Sequence, residues 1–426
     1  MLDMILSLLR ESGADAWEVT DSQERGWEFY FIRHRLDQHR AKLVEHIWVK
    51  VYVRSEDGKF LGSASAEIAP TATRAEAEAT IRELVGRAAY VKNPAYTLVK
   101  PDGGEQPAAE PVAVERIARD FLETMEQLPE TETEDLNSYE IFVSEVRRRF
   151  LNSEGVDVTS VYPSSMVEAV VNARRDGHEI ELYRLYKSGS CDREQLTRDL
   201  SETLRYGRDK LVAVPTPAIG KTAVVFSTDA AREIYEWFIA RMSAGMRYRR
   251  ISDWTEGKPI APEFRGDRMT VEAVTKLPNS SANAAYDDEG ARIRPRVLIR
   301  EGIAEASFGS RQFSQYMGLE DSFQPGNFAV SGGTATAEEL RQGRYLEVVE
   351  FSDFQVNPFN GDIAGEIRLG YWHDGDQVTI VSGGSVSGTM ADFVQDLHCS
   401  REQRQYNSLL IPAVTRLEGV TVTGAE

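Results

Sequence analysis

Along residues 47–53 apolar and polar positions alternate, with Ile47, Val49, Val51 and Val53 on one side and Trp48, Lys50 and Tyr52 on the other. A period of two marks a strand with one face in a core. Asp57-Gly58 supplies hairpin-turn residues and predicts a partner strand over 60–66. The period then becomes helical: Ala77, Ile81, Leu84, Val85 and Ala88 share a face, and Thr73 with Glu76 forms a capping box ahead of them. Val114, Ile117, Phe121, Leu122 and Met125 repeat helical spacing, after an exposed connection, PDGGEQPAAEP, over 101–111. Strands are predicted over 139–150 and 156–162, and a hairpin over 166–186 that turns at Asp176-Gly177. A helix over 192–206 carries Leu196, Leu200 and Leu204 on one face, with Gly207 as its expected stop.

Pro215 and Pro217 mark a domain boundary. Beyond them the pattern predicts a buried strand over 223–226, a helix over 229–244, and then mainly strands with turns at Glu301-Gly302 and Asp374-Gly375. The expectation is an α+β protein of two domains. Residues 1–215 form an α+β N-terminal domain, and 216–426 a β-rich, barrel- or sandwich-like domain with one main helix.

Composition narrows the function classes. With 41% hydrophobic and 27% charged residues in 426, the chain is globular rather than disordered. Acidic side chains outnumber basic ones 68 to 49, so counterion release gives no drive toward nucleic acid, and none is expected as a partner. Arg147-Arg148-Arg149 and the run 247–250 (RYRR) read as a solvated face or a domain contact. Cys191 and Cys399 cannot build a disulfide framework. The first nine residues are apolar but contain Asp3 and lack a basic leader, which reads as an amphipathic helix. With no run of about 18 apolar residues, a membrane partner is not expected, and the localisation expected is cytoplasmic.

Candidate chemistry is sparse. Of six histidines (34, 39, 46, 178, 373 and 398) no two share a helical metal-binding spacing, and neither cysteine lies in a CxxC. His178-Glu179 opens like a zinc motif, but Leu182 and Tyr183 stand where a second histidine is needed. In Gly384-Ser385-Val386-Ser387-Gly388 a valine holds the nucleophile place. The pairs Gly332-Gly333 and Gly383-Gly384 lack the Lys-Ser/Thr of a phosphate loop. No catalytic, cofactor or metal site is expected from the residues themselves.

The order of several segments is more informative. RAAYVKNPAYTLVKP and Asn152-Ser153-Glu154-Gly155 occur in the first half. Asp288-Glu289-Gly290 leads to PRVLIREGIAEASFGSRQFSQYMG, and VNPFNGDIAGEIRLGYWHDG carries Asn357, Pro358, Gly361, Asp362, Gly370, Tyr371, Trp372 and Gly375. Together, over nearly the full length, these resemble the TldD/PmbA (TldD/TldE) family, once described as modulators of DNA gyrase and now as a metalloprotease system. The family has two kinds of chain. A TldD-like chain carries HExxxH on the helix after the first strand of its C-terminal domain, with a downstream cysteine as a further zinc ligand. A PmbA/TldE-like chain lacks that motif and pairs with the first.

Aligning the strands puts Glu236, Trp237, Phe238, Ile239, Ala240 and Arg241 where HExxxH would fall. Both histidines are absent, and an arginine in their place is a fixed cation that repels a metal. The resemblance therefore implies a non-catalytic PmbA/TldE-like subunit without cofactor. Its implied partner is an HExxxH-bearing TldD-like chain, and its implied substrates are unfolded peptides. Cys399 falls where the ligand cysteine would be. The turn from Asn357-Pro358 to Gly361-Asp362 either lines the shared cavity or only fixes backbone geometry. Trp237 and Arg241 belong either to an interface or, with Ile234 and Phe238 at helical spacing, to the core. The rival reading is a homodimeric peptide- or protein-binding protein without a protease partner, favoured by loose matches at SSANAAYDDEG and FQPGNFAVSGG.

Overall fold

The structure is a computed structural model that describes residues 1–319 and 323–425. It is an α+β protein, 43% strand, with few helices. The first half contains α1 (Leu2–Glu11), β1 (Ala16–Ile32), β2 (Arg35–Arg54), β3 (Leu61–Ile68), α2 (Arg74–Ala88), α3 (Val114–Glu126), β4 (Glu134–Asn152), β5 (Asp157–Arg175), β6 (His178–Ser188) and α4 (Arg193–Lys210). The strands form one sheet in the order β3-β2-β1-β4-β5-β6, antiparallel throughout. Helices cover one face of it. Ile47, Val49 and Val51 pack with Ile5, Leu9, Ile81 and Leu84, and Ile141, Val143 and Val167 pack with Phe121, Leu196 and Leu200.

The capping box is formed as expected. Glu76 N–H donates to Thr73 Oγ1, and Thr73 N–H to Glu76 Oε2. Two local expectations are corrected. β5 runs unbroken through Pro163, joining segments read as separate strands, because Pro163 lies beyond the end of β6, where that side of β5 has no partner strand. Gly207 sits inside α4 rather than past its end. A Cβ there would come within 3.1 Å of the Ala173 Cβ on β5, so the glycine serves close packing of helix on sheet.

The second half continues with β7 (Val214–Pro215), β8 (Gly220–Phe226), α5 (Ala231–Arg241), α6 (Ala244–Tyr248), β9 (Thr270–Val274), β10 (Arg296–Arg300), β11 (Ile303–Ala304), α7 (Arg311–Tyr316) and β12 (Asn327–Ser331). After these come β13 (Tyr345–Val356), β14 (Asp362–Asp374), β15 (Gln377–Ser382), β16 (Ser385–Thr389), α8 (Met390–Phe393), β17 (Leu397–Cys399), β18 (Gln403–Tyr406), β19 (Leu409–Pro412) and β20 (Thr415–Thr423). β13, β8, β20, β16 and β14 pair in that order, and β14 pairs back to β13, which closes a barrel. A second sheet runs β11-β10-β9-β12-β19-β18. The hydrophobic cluster containing Val224, Leu346, Val348 and Leu417 of the barrel also takes in Ile234, Phe238 and Met242, so α5 packs into the barrel's core. Val349 and Leu369 join the cluster beneath α3 and α4, so packing is continuous between the halves. Among the described residues no helix is long and apolar enough to cross a membrane.

Candidate functional site

α5 is buried on most of its surface: Ala231, Ile234, Tyr235, Trp237, Phe238 and Ile239 are all inside. Cys399 closes β17, directly opposite Thr415 on β20. Tyr235 reaches these two from the helix. Its hydroxyl lies 2.7 Å from Thr415 Oγ1 and 3.3 Å from Cys399 Sγ, and all three residues are 0% exposed. The Cys399 N–H donates to Asp267 Oδ2 at 2.8 Å. Burial pushes the Cys399 thiol up to about 12, and burial holds the Tyr235 phenol well above its usual range. The cluster is therefore neutral, and Cys399 is a thiol rather than a thiolate.

These residues do not fit a zinc ion. A zinc site takes thiolate, imidazole or carboxylate ligands in tetrahedral array. Here the thiol faces a phenol and a threonine hydroxyl, and His398 is 3.7 Å from Asp396 with a side chain 32% exposed. There is also no room. A Cβ on Gly333 would fall 1.6 Å from the Cys399 carbonyl oxygen, so backbone is packed directly against this residue. Among the described residues no three His, Cys, Asp or Glu side chains are grouped to hold a metal.

The helix meets the cysteine through Tyr235, one residue before the segment that strand alignment places there. Glu236 faces outward and pairs with Arg232 at 2.8 Å. Trp237 is 5% exposed and meets Trp254 edge-on at 5.5 Å. Arg241 lies over both indoles, 5.2 and 5.6 Å from their centroids. It donates to the Ile251 carbonyl at 2.6 Å and pairs with Asp253 at 3.0 Å. Both residues are thus held within this chain.

The turn after β13 packs against the same place. Asn357 Oδ1 accepts from the N–H groups of Phe359 and Asn360, and Asn357 N–H donates to the Asp362 carbonyl at 2.8 Å. Pro358, Phe359 and Asp362 are exposed, whereas Gly361 is buried with φ +80°. A Cβ on Gly361 would stand 3.2 Å from both Trp237 Nε1 and Met390 Cβ. The structure thereby joins two sets of residues that sequence reasoning kept apart, Asn357 to Asp362 and Trp237 with Arg241. Trp237 Nε1 and Arg241 Nε are buried without a hydrogen-bond partner among the described residues.

Sequence reasoning missed Tyr235, Thr415 and Asp267, whose contacts with Cys399 or with one another carry no local signal. The Asp288-Glu289-Gly290 segment proves structural. Asp287 Oδ1 accepts from the N–H groups of Glu289 and Ala291, and Arg148 of β4 pairs with Asp288. Gly290 has φ +77°, and a Cβ there would meet Phe150 at 2.6 Å. Glu289 accepts the Arg311 N–H at 2.6 Å, and its burial pushes its carboxyl up to about 7.

Three comparisons place this architecture among known proteins. Residues 219–424 match the family model described as the PmbA/TldA metallopeptidase C-terminal domain. Metalloprotease PmbA of Escherichia coli O157:H7 is 23% identical over 206 residues, 45% of each chain. The metalloprotease PmbA homolog of Haemophilus influenzae is 22% identical over 210 residues, 47% of this chain and 46% of its own. The chain thus aligns with about half the length of these relatives. The crystal structure of TldE from Thermococcus kodakarensis superposes with a TM-score of 0.77 at 16% identity, covering 99% of this chain and 100% of that one. At that identity the likeness speaks for the fold. Through the domain carried by its second half, the chain belongs to the TldD/PmbA family.

Proposed function

We propose that this chain is a non-catalytic, TldE-like subunit that works with an HExxxH-bearing TldD-like chain in cleaving unfolded peptides. The observation that carries this reading is the buried hub of Tyr235, Cys399 and Thr415. At the place where a catalytic relative would bring helix and cysteine onto zinc, a neutral phenol bridges a thiol and a hydroxyl. Without zinc there is no acidified water and no Lewis acid for peptide hydrolysis. The chain's part is to complete a cavity with the other subunit and hold an extended peptide there. An unpaired strand edge supports such binding through backbone hydrogen bonds. The part of β2 before Ile47 offers one, since β3 pairs only with Ile47 to Arg54.

The test is zinc content and peptide cleavage by the isolated chain. After exposure to zinc and desalting, metal well below one per chain and no cleavage of an unfolded peptide are expected. One tightly held zinc per chain, or cleavage without a partner, contradicts the reading.

A further inference from the structure

The six-stranded sheet of the first half carries α1 to α4 on one face. Ile141, Val143, Val167 and Ala169 pack beneath those helices, so their alternate neighbours along β4 and β5 point to the opposite face. The pairing register lays that face out in rows. One row reads Gln38 on β2, Tyr30 on β1, Glu140 on β4, Glu168 on β5 and Leu185 on β6. The next reads Arg40, Glu28, Phe142, Met166 and Lys187 along the same strands.

Apolar side chains lack cover here. Among the described residues, Tyr30, Phe142, Met166, Leu185 and Tyr183 belong to none of the chain's hydrophobic clusters, and Tyr183 is 53% exposed. Phe142 meets Tyr30 edge-on at 5.8 Å. An apolar sheet face left without a covering layer marks an interaction surface.

Its charges narrow the occupant. Glu140 and Glu168 stand directly opposite each other, where like charges repel. Burial and the facing Glu168 hold the Glu140 carboxyl above its ordinary range. Among the described residues Glu28, Glu140 and Glu168 make no ion pair, and only the Tyr30 hydroxyl, 3.0 Å from Glu28, and the Tyr183 hydroxyl, 2.8 Å from Glu168, donate to them. The row holding Glu140 and Glu168 contains no cation. In the next row Arg40 and Lys187 stand at the two ends, on β2 and β6, and Arg40 donates to Gln38 at 2.8 Å and covers the Tyr30 ring at 5.0 Å. The middle of the face therefore presents carboxylates among aromatic and aliphatic side chains.

We propose that this face docks an extended cationic peptide, with a lysine or arginine side chain over Glu140 and Glu168 and apolar neighbours on Phe142, Met166 and Tyr183. The rings beside the carboxylates add cation–π attraction. A neutral or acidic peptide would leave the facing carboxylates uncompensated. The proposal rests on reading the chain as a peptide-holding subunit, and the face borders the free edge of β2 through Gln38 and Arg40.

The experiment titrates disordered Gly/Ser-rich peptides, carrying Leu with Lys, Gln or Glu at matched positions, into the full-length chain and reads fluorescence anisotropy. The Lys peptide should bind at least about fivefold more tightly than the Gln peptide, and the Glu peptide more weakly than either. Glu140→Gln combined with Glu168→Gln should weaken the Lys peptide about threefold to tenfold. It should not lower the melting temperature, since it removes a like-charge pair. Glu78→Gln combined with Glu83→Gln, on the exposed side of α2, removes the same charge and should leave binding unchanged. Equal binding of the Lys and Gln peptides, or an equal loss in the α2 control, overturns the proposal. Peptide cleavage by the mixed two-chain complex is a separate readout, so the reading of function stands or falls apart from this surface.

Discussion

Replacing Tyr235 with phenylalanine tests whether the hub around Cys399 is a built polar cluster or an incidental contact. The ring fills the same space, so the change removes one oxygen and little else. Thr415 Oγ1, 2.7 Å away in a fully buried site, then loses its partner, and the Cys399 thiol loses its 3.3 Å contact. A buried hydroxyl left unsatisfied costs about 1–3 kcal/mol. Thr415→Val leaves the phenol only its 3.3 Å contact with the Cys399 thiol, a weak partner, so its cost should be no larger. The double variant removes both partners and leaves an apolar contact of nearly the original shape, so its cost should fall short of the sum by about 1 kcal/mol or more. Urea unfolding followed by tryptophan fluorescence suits the measurement, because Trp237 and Trp254 pack beside this part of the core. Additive costs in the double variant, or a silent Tyr235→Phe, would refute the reasoning.

Gly361→Ala should destabilise by about 1–2 kcal/mol for the left-handed backbone and further through crowding of Trp237 and Met390, each 3.2 Å from the added Cβ. Gly343→Ala meets open space at φ +78° and should show only the backbone cost in the same unfolding assay. Burial raises the Glu289 and Glu350 carboxyls from 4.5 to about 7, so these two groups contribute most stability below 4.5 and lose it as pH rises through 7. Unfolding free energy should therefore fall by a few kcal/mol at most between about pH 5 and about pH 8, and Glu289→Gln should flatten that slope. A thiol reagent should leave Cys399 untouched in the folded chain at neutral pH, since the thiol is raised to about 12 and 0% exposed, and label it after unfolding.

What could be read from the sequence was what neighbouring residues decide. The Thr73–Glu76 cap and the Asp57-Gly58, Asp176-Gly177 and Asp374-Gly375 turns each depend on a few adjacent side chains, and each appears in the structure. β1 was not legible, because Asp21, Gln23 and Arg25 interrupt the apolar face carrying Val19 and Trp27 to Phe31. The role of Gly207 depends on Ala173, in another element. The hub was hidden for the same reason: Tyr235 lies 164 residues from Cys399 and 180 from Thr415. That no HExxxH occurs in the sequence was legible, but the contact of Tyr235 with Cys399 and Thr415 was not.

The central claim is that this chain acts as the metal-free half of a two-chain peptidase. The direct measurement is size-exclusion chromatography with light scattering on this chain mixed with an HExxxH-bearing relative from the same genome, followed by a peptide-cleavage assay on the peak. The account predicts a mixed complex that cleaves an unfolded peptide where neither chain alone does. Two separate peaks, with the relative fully active by itself, would contradict it and favour a homomeric binding protein.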